Sequence, residues 1–144
     1  MTKRSKQKEL LFQKHLIDSY KACGGYASKW ATELAVGKPD LVACLPDFGV
    51  HLVEVKHRPD WTERVYKNPL NDKQINEARN YINGGGIALS MVVVGKGSKA
   101  IDSSVYIFSS LAKSVDLSWA MHVDYIAGKK FNVDALMRNR GFYT

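Results

Sequence analysis

The sequence predicts a single α/β domain in which a central mixed β-sheet is flanked by helices. Three observations carry that expectation. Apolar residues recur at helical spacing over residues 5–22 and again after Asn71. Short runs suited to strands lie at 41–45, 50–56 and 105–108. Ile87 to Val94 is apolar almost without interruption, the pattern of a strand covered on both faces. No repeat, low-complexity tract or linker divides the 144 residues, so residues 1–144 are expected to form one domain. A chain of that length can bury a core without staples.

Each element has a local reason. Leu10, Leu11, Phe12, Leu16, Ile17 and Tyr20 stand at three- and four-residue spacing, and Gly24-Gly25 stops the helix they predict. Residues 26–35 suit a strand, with Tyr26, Trp30, Thr32 and Leu34 on one side of the alternation. Leu41 to Leu45 and Val50 to Lys56 are expected to pair as a hairpin through the turn-forming segment Pro46-Asp47-Phe48-Gly49. Asn71 is placed to cap the second helix, with Gln74 reaching back as in a capping box. Ile75, Ala78, Tyr81 and Ile82 share one side of that helix, and Gly84-Gly85-Gly86 ends it. Val105 to Phe108 is a fifth strand. The remainder reads as helical in pieces, with Asn132 as a cap and Gly141 as a stop, and residues 96–144 carry no motif that assigns them a role.

Apolar residues make up 45% and charged residues 24%, an ordinary globular balance that argues against disorder. The net charge of +7 favours a polyanionic partner, nucleic acid before an acidic membrane surface. Residues 1–30 carry seven cations against two acids, which makes Lys6, Lys8 and Lys14 candidates for phosphate contacts; a merely solvated helix face is the alternative. Cys23 and Cys44 offer neither a disulfide framework nor metal-ligand spacing, and so suggest a reducing compartment. The run 87–94 is too short to span a bilayer, and the basic N-terminus leads into Gln7 and Glu9 instead of an apolar signal segment. No membrane partner is expected. The expected place is the cytoplasm, prokaryotic or, for a phage-encoded chain, that of the host.

The chemistry concentrates in Gly37-Lys38-Pro39-Asp40-Leu41 and Leu52-Val53-Glu54-Val55-Lys56. Strand alternation points Glu54 and Lys56 one way and Val53 and Val55 the other. A carboxylate and an ammonium on a buried strand are costly unless they pair with each other or with a metal. Pro39 fixes the backbone beside Asp40 and helps to aim its carboxylate at the strand carrying Glu54. Asp40 and Glu54, with the main-chain carbonyl of Val55, make a hard-oxygen set suited to Mg²⁺, or Mn²⁺ as a substitute. Lys56 is then placed to orient or deprotonate a water, or to stabilise developing charge, in phosphodiester hydrolysis. Taken singly, Asp40 is equally a turn residue and Glu54 and Lys56 a surface pair. Together, among Leu41, Leu52, Val53 and Val55, they favour a site. His51 and His57 lack a partner at zinc-ligand spacing, no histidine is motif-paired with a Ser or Cys nucleophile, and the triple glycine lacks the Lys-Ser/Thr of a phosphate loop. Arg58 and Arg64 lie with Trp61, Tyr66 and Lys67 in a basic stretch that reads as an exposed linker or as a loop touching DNA.

Pro39-Asp40, thirteen intervening residues, and Glu54-Val55-Lys56 resemble the P-D…(D/E)-X-K signature of the PD-(D/E)XK nuclease superfamily. With Gly37 before the Pro-Asp, an apolar strand after it and Val53 before Glu54, the string is similar to virus-type replication-repair nucleases and archaeal-type Holliday junction resolvases. The resemblance covers roughly residues 5–95. It implies a restriction-endonuclease-like fold and a Mg²⁺-dependent endodeoxyribonuclease acting on branched or structured DNA. It also implies that Gln74 matches a glutamine common on the helix after the catalytic strand, and that Glu9 matches an acidic residue serving as an additional metal ligand. Plainer roles are a helix cap for Gln74 and a solvated face for Glu9. Junction resolution needs two active sites, so by the same analogy a homodimer is expected. The alternatives are a flap- or nick-directed replication-repair nuclease and a non-cleaving DNA-binding module of the same fold. A restriction-type enzyme would need a separate target-recognition domain, for which the sequence shows no segment.

Overall fold

A computed structural model describes residues 3–30, 37–94, 103–117, 122–125, 131–134 and 137. The chain begins with helix α1 (Lys3–Ala22), followed by β1 (Tyr26–Lys29), β2 (Leu41–Leu45), β3 (Gly49–Arg58) and β4 (Val65–Lys67). Helix α2 (Asp72–Asn83) leads into β5 (Ala88–Val94), β6 (Ser103–Ser109), β7 (Ser114–Asp116) and β8 (His122–Tyr125). The main sheet has the order β1-β2-β3-β5-β6-β8, and β4 pairs with β7 in a separate ribbon. Among the described strand pairs only β3–β5 is parallel. α2 is the crossover that this pair requires. The mixed sheet with flanking helices is the expected fold class.

The central strand explains the layers. Every residue of β3 from His51 to His57 is buried. Val53 and Val55 face α1, where Phe12, Leu16 and Tyr20 cover them together with Leu41, Met91 and Ile107. Each fully buried side chain of this kind contributes roughly 1.5–3 kcal/mol. On the opposite face Leu52 packs with Ala78 of α2 and Ala88, and Trp61, Leu70, Val92, Phe108 and Val115 form an adjoining cluster. Gly24, at φ +83, ends α1, and the Gly25 N–H returns to the Tyr20 carbonyl at 2.9 Å. α2 has the expected capping box: the Gln74 N–H donates to Asn71 Oδ1 at 2.9 Å, and the Asn71 N–H to Gln74 Oε1 at 3.0 Å.

Several boundaries differ from expectation. β1 stops at Lys29, although the Trp30 N–H still reaches the Asp40 carbonyl at 3.0 Å; Thr32 and Leu34 lie outside the described residues. Ser114–Asp116 and His122–Tyr125 are strands, not pieces of helix. Runs of three or four residues carry too little periodicity to declare themselves, and pairing with β4 and β6 decides their state. The stretch after Trp61 is exposed from Thr62 to Val65, but it is not a plain linker. Trp61 is buried and stacks on Tyr66 at 4.3 Å, and the Tyr66 hydroxyl accepts from the Thr62 and Glu63 N–H groups. Asn132 directly precedes helical residues 133–134, and Gly141 lies outside the described residues. Phe131, Val133 and Met137 pack into the α1 core, with Phe131 stacked on Phe12, so this part of the C-terminal region completes that layer.

A buried polar pair sits at the turn end of the hairpin. His51 Nδ1–H donates to the Gly49 carbonyl at 3.0 Å, leaving Nε2 to accept from the Tyr20 hydroxyl at 2.6 Å. Burial lowers the His51 pKa from 6.5 to about 4. Between those values the unfolded chain binds a proton that the folded chain refuses. Stability is therefore present above pH 6.5 and lost as pH falls toward 4, by roughly 3 kcal/mol in all. Denaturant midpoints measured from pH 7 to pH 4 are expected to fall more steeply in wild type than in His51→Gln. Parallel profiles would assign the loss to other groups.

Candidate active site

The site arises where β3 outruns its neighbour. β2 pairs with β3 only as far as Leu41↔Val53, so among the described residues the β2-side edge of β3 from Val55 to Arg58 has no strand against it. Backbone N–H groups on a buried edge need acceptors, and here two carboxylates supply them. The Val55 N–H donates to Asp40 Oδ2 at 2.8 Å, and the His57 N–H to Glu9 Oε1 at 3.0 Å. Asp40 immediately precedes β2, and Glu9 arrives from the first half of α1. In a strand the C=O of a residue points to the same side as its N–H. The Val55 carbonyl therefore faces the edge that Asp40 closes.

Glu54 and Lys56 share the opposite face of β3 from Val53 and Val55, and both are buried, at 6% and 8% exposure. Gln74 Nε2 donates to Glu54 Oε1 at 3.1 Å. Because Gln74 Oε1 already accepts the Asn71 N–H, the amide can present only its NH₂ to Glu54. One side chain thus caps α2 and holds a carboxyl in the site. The Glu54 pKa is raised to about 9, first by burial, then by the negative charge of Asp40 and the hydrogen bond between the two carboxyls. The metal-free pair accordingly keeps a proton at neutral pH. Glu9 is raised as well, by burial, with the His57 N–H and the Lys56 charge opposing. Lys56 makes no hydrogen bond or ion pair within 4 Å among the described residues, although its charge acts on both Glu54 and Glu9.

Two carboxyls forced together by the fold, beside a main-chain carbonyl, suit a hard cation that would replace their shared proton. The donor set fits Mg²⁺ or Mn²⁺ and lacks the imidazole or thiolate that zinc prefers. Among the described residues no three His, Cys, Asp or Glu side chains converge closely enough to hold a metal by themselves. Glu9 is brought to the same edge by its bond from the His57 N–H, but it does not complete a triad with Asp40 and Glu54.

The expected phosphate-contacting residues are less gathered. Arg58 stands at the rim, with Nη1 on the His57 carbonyl at 2.9 Å and 4.0 Å from Glu9 Oε1. Arg64 is exposed and paired with Asp116 at 3.2 Å, which spends part of its charge. Lys14 is exposed on α1; Lys6 and Lys8 belong to the same helix, but their side chains lie outside the described residues. Sequence reasoning missed Lys38, which is tied to Glu77 of α2 at 2.9 Å. A pairing across 39 positions leaves no local signature.

No family model matches the chain, and no curated protein matches it. Among solved structures it is similar to a Holliday junction resolvase from Archaeoglobus fulgidus, an archaeal hyperthermophile. That likeness has a TM-score of 0.53 and 19% identity, and covers 86% of this chain and 95% of the resolvase. A VRR_NUC domain matches with a TM-score of 0.44 and 28% identity over 61% of this chain and 84% of that one. At 19% identity the first match speaks for the fold: this chain has the α/β fold of the resolvase.

Proposed function

We propose that this chain is a metal-dependent endodeoxyribonuclease that hydrolyses phosphodiester bonds in branched or structured DNA, Holliday junctions first among them. The observation that carries the reading is the meeting of the Asp40 and Glu54 carboxyls at the edge of β3, beside a buried Lys56 that has no ion-pair partner among the described residues. A fold shared with a Holliday junction resolvase supports it. Asp40, Glu54 and the Val55 carbonyl would hold Mg²⁺ or Mn²⁺, with Glu9 as a neighbouring acid. When bound, such an ion offsets the charge of a phosphodiester and lowers the pKa of a water. As an ammonium Lys56 orients the attacking water or steadies the charge that develops on the phosphate oxygens; only as the neutral amine could it take the water's proton. Gln74 keeps Glu54 aimed. Arg58 at the rim is the nearest candidate for a scissile-strand phosphate, with Lys6, Lys8, Lys14 and Arg64 as more distant contacts on the duplex arms.

Cutting a junction symmetrically takes two such sites, so the working form is a homodimer. The proposed setting is the cytoplasm of a prokaryote or of a phage's host. No described helix is long and apolar enough to cross a membrane.

The test is cleavage of a four-way junction, a flap, a nicked duplex, a linear duplex and a single strand, each with Mg²⁺, Mn²⁺ or EDTA. The junction is expected to be cut fastest, with metal only. Faster cutting of flaps or nicks would make this a replication-repair nuclease. Binding without cleavage of any substrate would leave a DNA-binding module. Undiminished cleavage in EDTA would remove the metal from the mechanism.

A further inference from the structure

We infer that Lys38, paired with Glu77, is a positioning residue that sets the spacing of Asp40 and Glu54 for a divalent cation. It does so by tying the loop that carries Asp40 to the helix that holds Glu54. This role rests on the proposed metal site and adds to it a device outside the carboxyls themselves.

Asp40 and Glu54 come from different segments, so their separation depends on whatever links those segments. α2 touches both. Its Gln74 donates to Glu54 at 3.1 Å. One turn on, Glu77 Oε2 receives Lys38 Nζ at 2.9 Å, and one further turn brings the Tyr81 hydroxyl to 3.4 Å from the same nitrogen. The Lys38 ammonium also lies over the Trp30 and Tyr81 rings, at 5.6 and 5.5 Å from their centroids. Trp30 and Tyr81 meet edge to face at 5.9 Å, and the Trp30 N–H binds the Asp40 carbonyl at 3.0 Å.

The loop is also seated sterically. Gly37 has φ +82, and a Cβ there would stand 2.9 Å from the Lys73 carbonyl oxygen on α2. Only glycine allows both that backbone and that approach. Gly37, Pro39, Glu54 and Gln74 line one small cavity between α2 and the sheet, so the residues on either side of Lys38 border the same space as the Glu54 carboxyl. With its donors aimed at Glu77 and Tyr81, Lys38 holds the loop and is not a free phosphate contact.

The signs of two substitutions separate positioning from bulk electrostatics. Lys38 is a cation near a cation site, so its charge alone opposes metal binding, whereas the charge of Glu77 favours it. Simple electrostatics predicts that Lys38→Met tightens Mn²⁺ binding and Glu77→Gln weakens it. A clamp predicts that both weaken it, by roughly 3- to 10-fold, and that Lys38→Arg, which can still pair and stack, stays near wild type.

The measurement is Mn²⁺ affinity of the full chain by calorimetry or by electron paramagnetic resonance of free Mn²⁺, without DNA, beside the melting temperature of each metal-free variant. Weakening in both Lys38→Met and Glu77→Gln, with Lys38→Arg near wild type, is the expected result. Tighter binding in Lys38→Met, or no change in either variant while Asp40→Asn abolishes binding, overturns the clamp and leaves the metal site standing. Should Lys38→Met fail to fold, Lys38→Gln takes its place, for which bulk electrostatics again predicts tighter binding and the clamp weaker binding. If wild type and Asp40→Asn bind Mn²⁺ alike, the metal-site reading fails and the clamp falls with it.

Discussion

Asp40→Asn and Glu54→Gln are each expected to remove the Mn²⁺ response of the protein, and DNA cleavage with it. Mn²⁺ should raise the melting temperature of wild type by mass action, because only the folded chain brings the two carboxyls together. With either oxygen donor replaced by an amide, that shift is expected to vanish. The proton shared in the site adds a pH signature. Glu54 is held to a pKa of about 9 chiefly by burial and by Asp40. A cation must therefore expel a proton at neutral pH, and Mn²⁺ affinity should climb by up to about tenfold per pH unit until the carboxyl ionises by itself. The same raised pKa acts on the metal-free fold. Its contribution is fully present below the ordinary carboxyl range and is lost as pH rises toward about 9. Glu54→Gln removes that loss, so without metal this variant should be more stable than wild type at neutral pH and above, even though it is inactive. Thermal melts with and without Mn²⁺ at pH 6, 7 and 8 give all three readings. A Mn²⁺ shift that survives in both variants would place the metal elsewhere.

How far the sequence could be read depended on whether a feature was local. Strand alternation is local, so the shared face of Glu54 and Lys56 is legible from their two-residue spacing alone. The Asn71–Gln74 capping box is legible too, since its bonds span three positions. Ala88 to Val93 shows its burial in composition alone, although Ile87, read as part of the same run, is exposed and precedes the strand. What escaped was long-range. β4, β7 and β8 are short strands defined by their partners. Trp61 reads as part of a basic linker, yet the Tyr66 stack and the Val92–Phe108 cluster bury it. The second bond of Gln74, to Glu54, follows from how α2 lies on β3. The dual use of Asp40 and Glu9, as acids and as acceptors for an unpaired strand edge, appears only when β2 is seen to stop short of β3's end.

Lys56→Ala is expected to keep DNA affinity within a few fold and to cut turnover by on the order of 10²-fold or more. The asymmetry follows from where the ammonium sits. Lys56 is 8% exposed and spends its charge on no ion-pair partner among the described residues. Burying an ammonium without a tight partner costs several kcal/mol. A residue kept at such cost, and too deep to grip the outside of a duplex, acts where charge or a proton moves. Its loss should therefore harm the transition state more than the bound ground state. Lys56→Met keeps much of the volume and stem packing of the side chain, which separates lost charge from a cavity. It should be as inactive as Lys56→Ala while folding at least as stably as wild type. Asp40→Asn combined with Lys56→Ala should be little worse than either change alone, because residues that act as a unit are not additive. Single-turnover cleavage of a four-way junction, beside gel-shift titration in Ca²⁺, measures both halves of the claim. If Lys56→Met cuts as fast as wild type, the ammonium is a structural counter-charge to the carboxyls, and Arg58 at the rim becomes the cation to test.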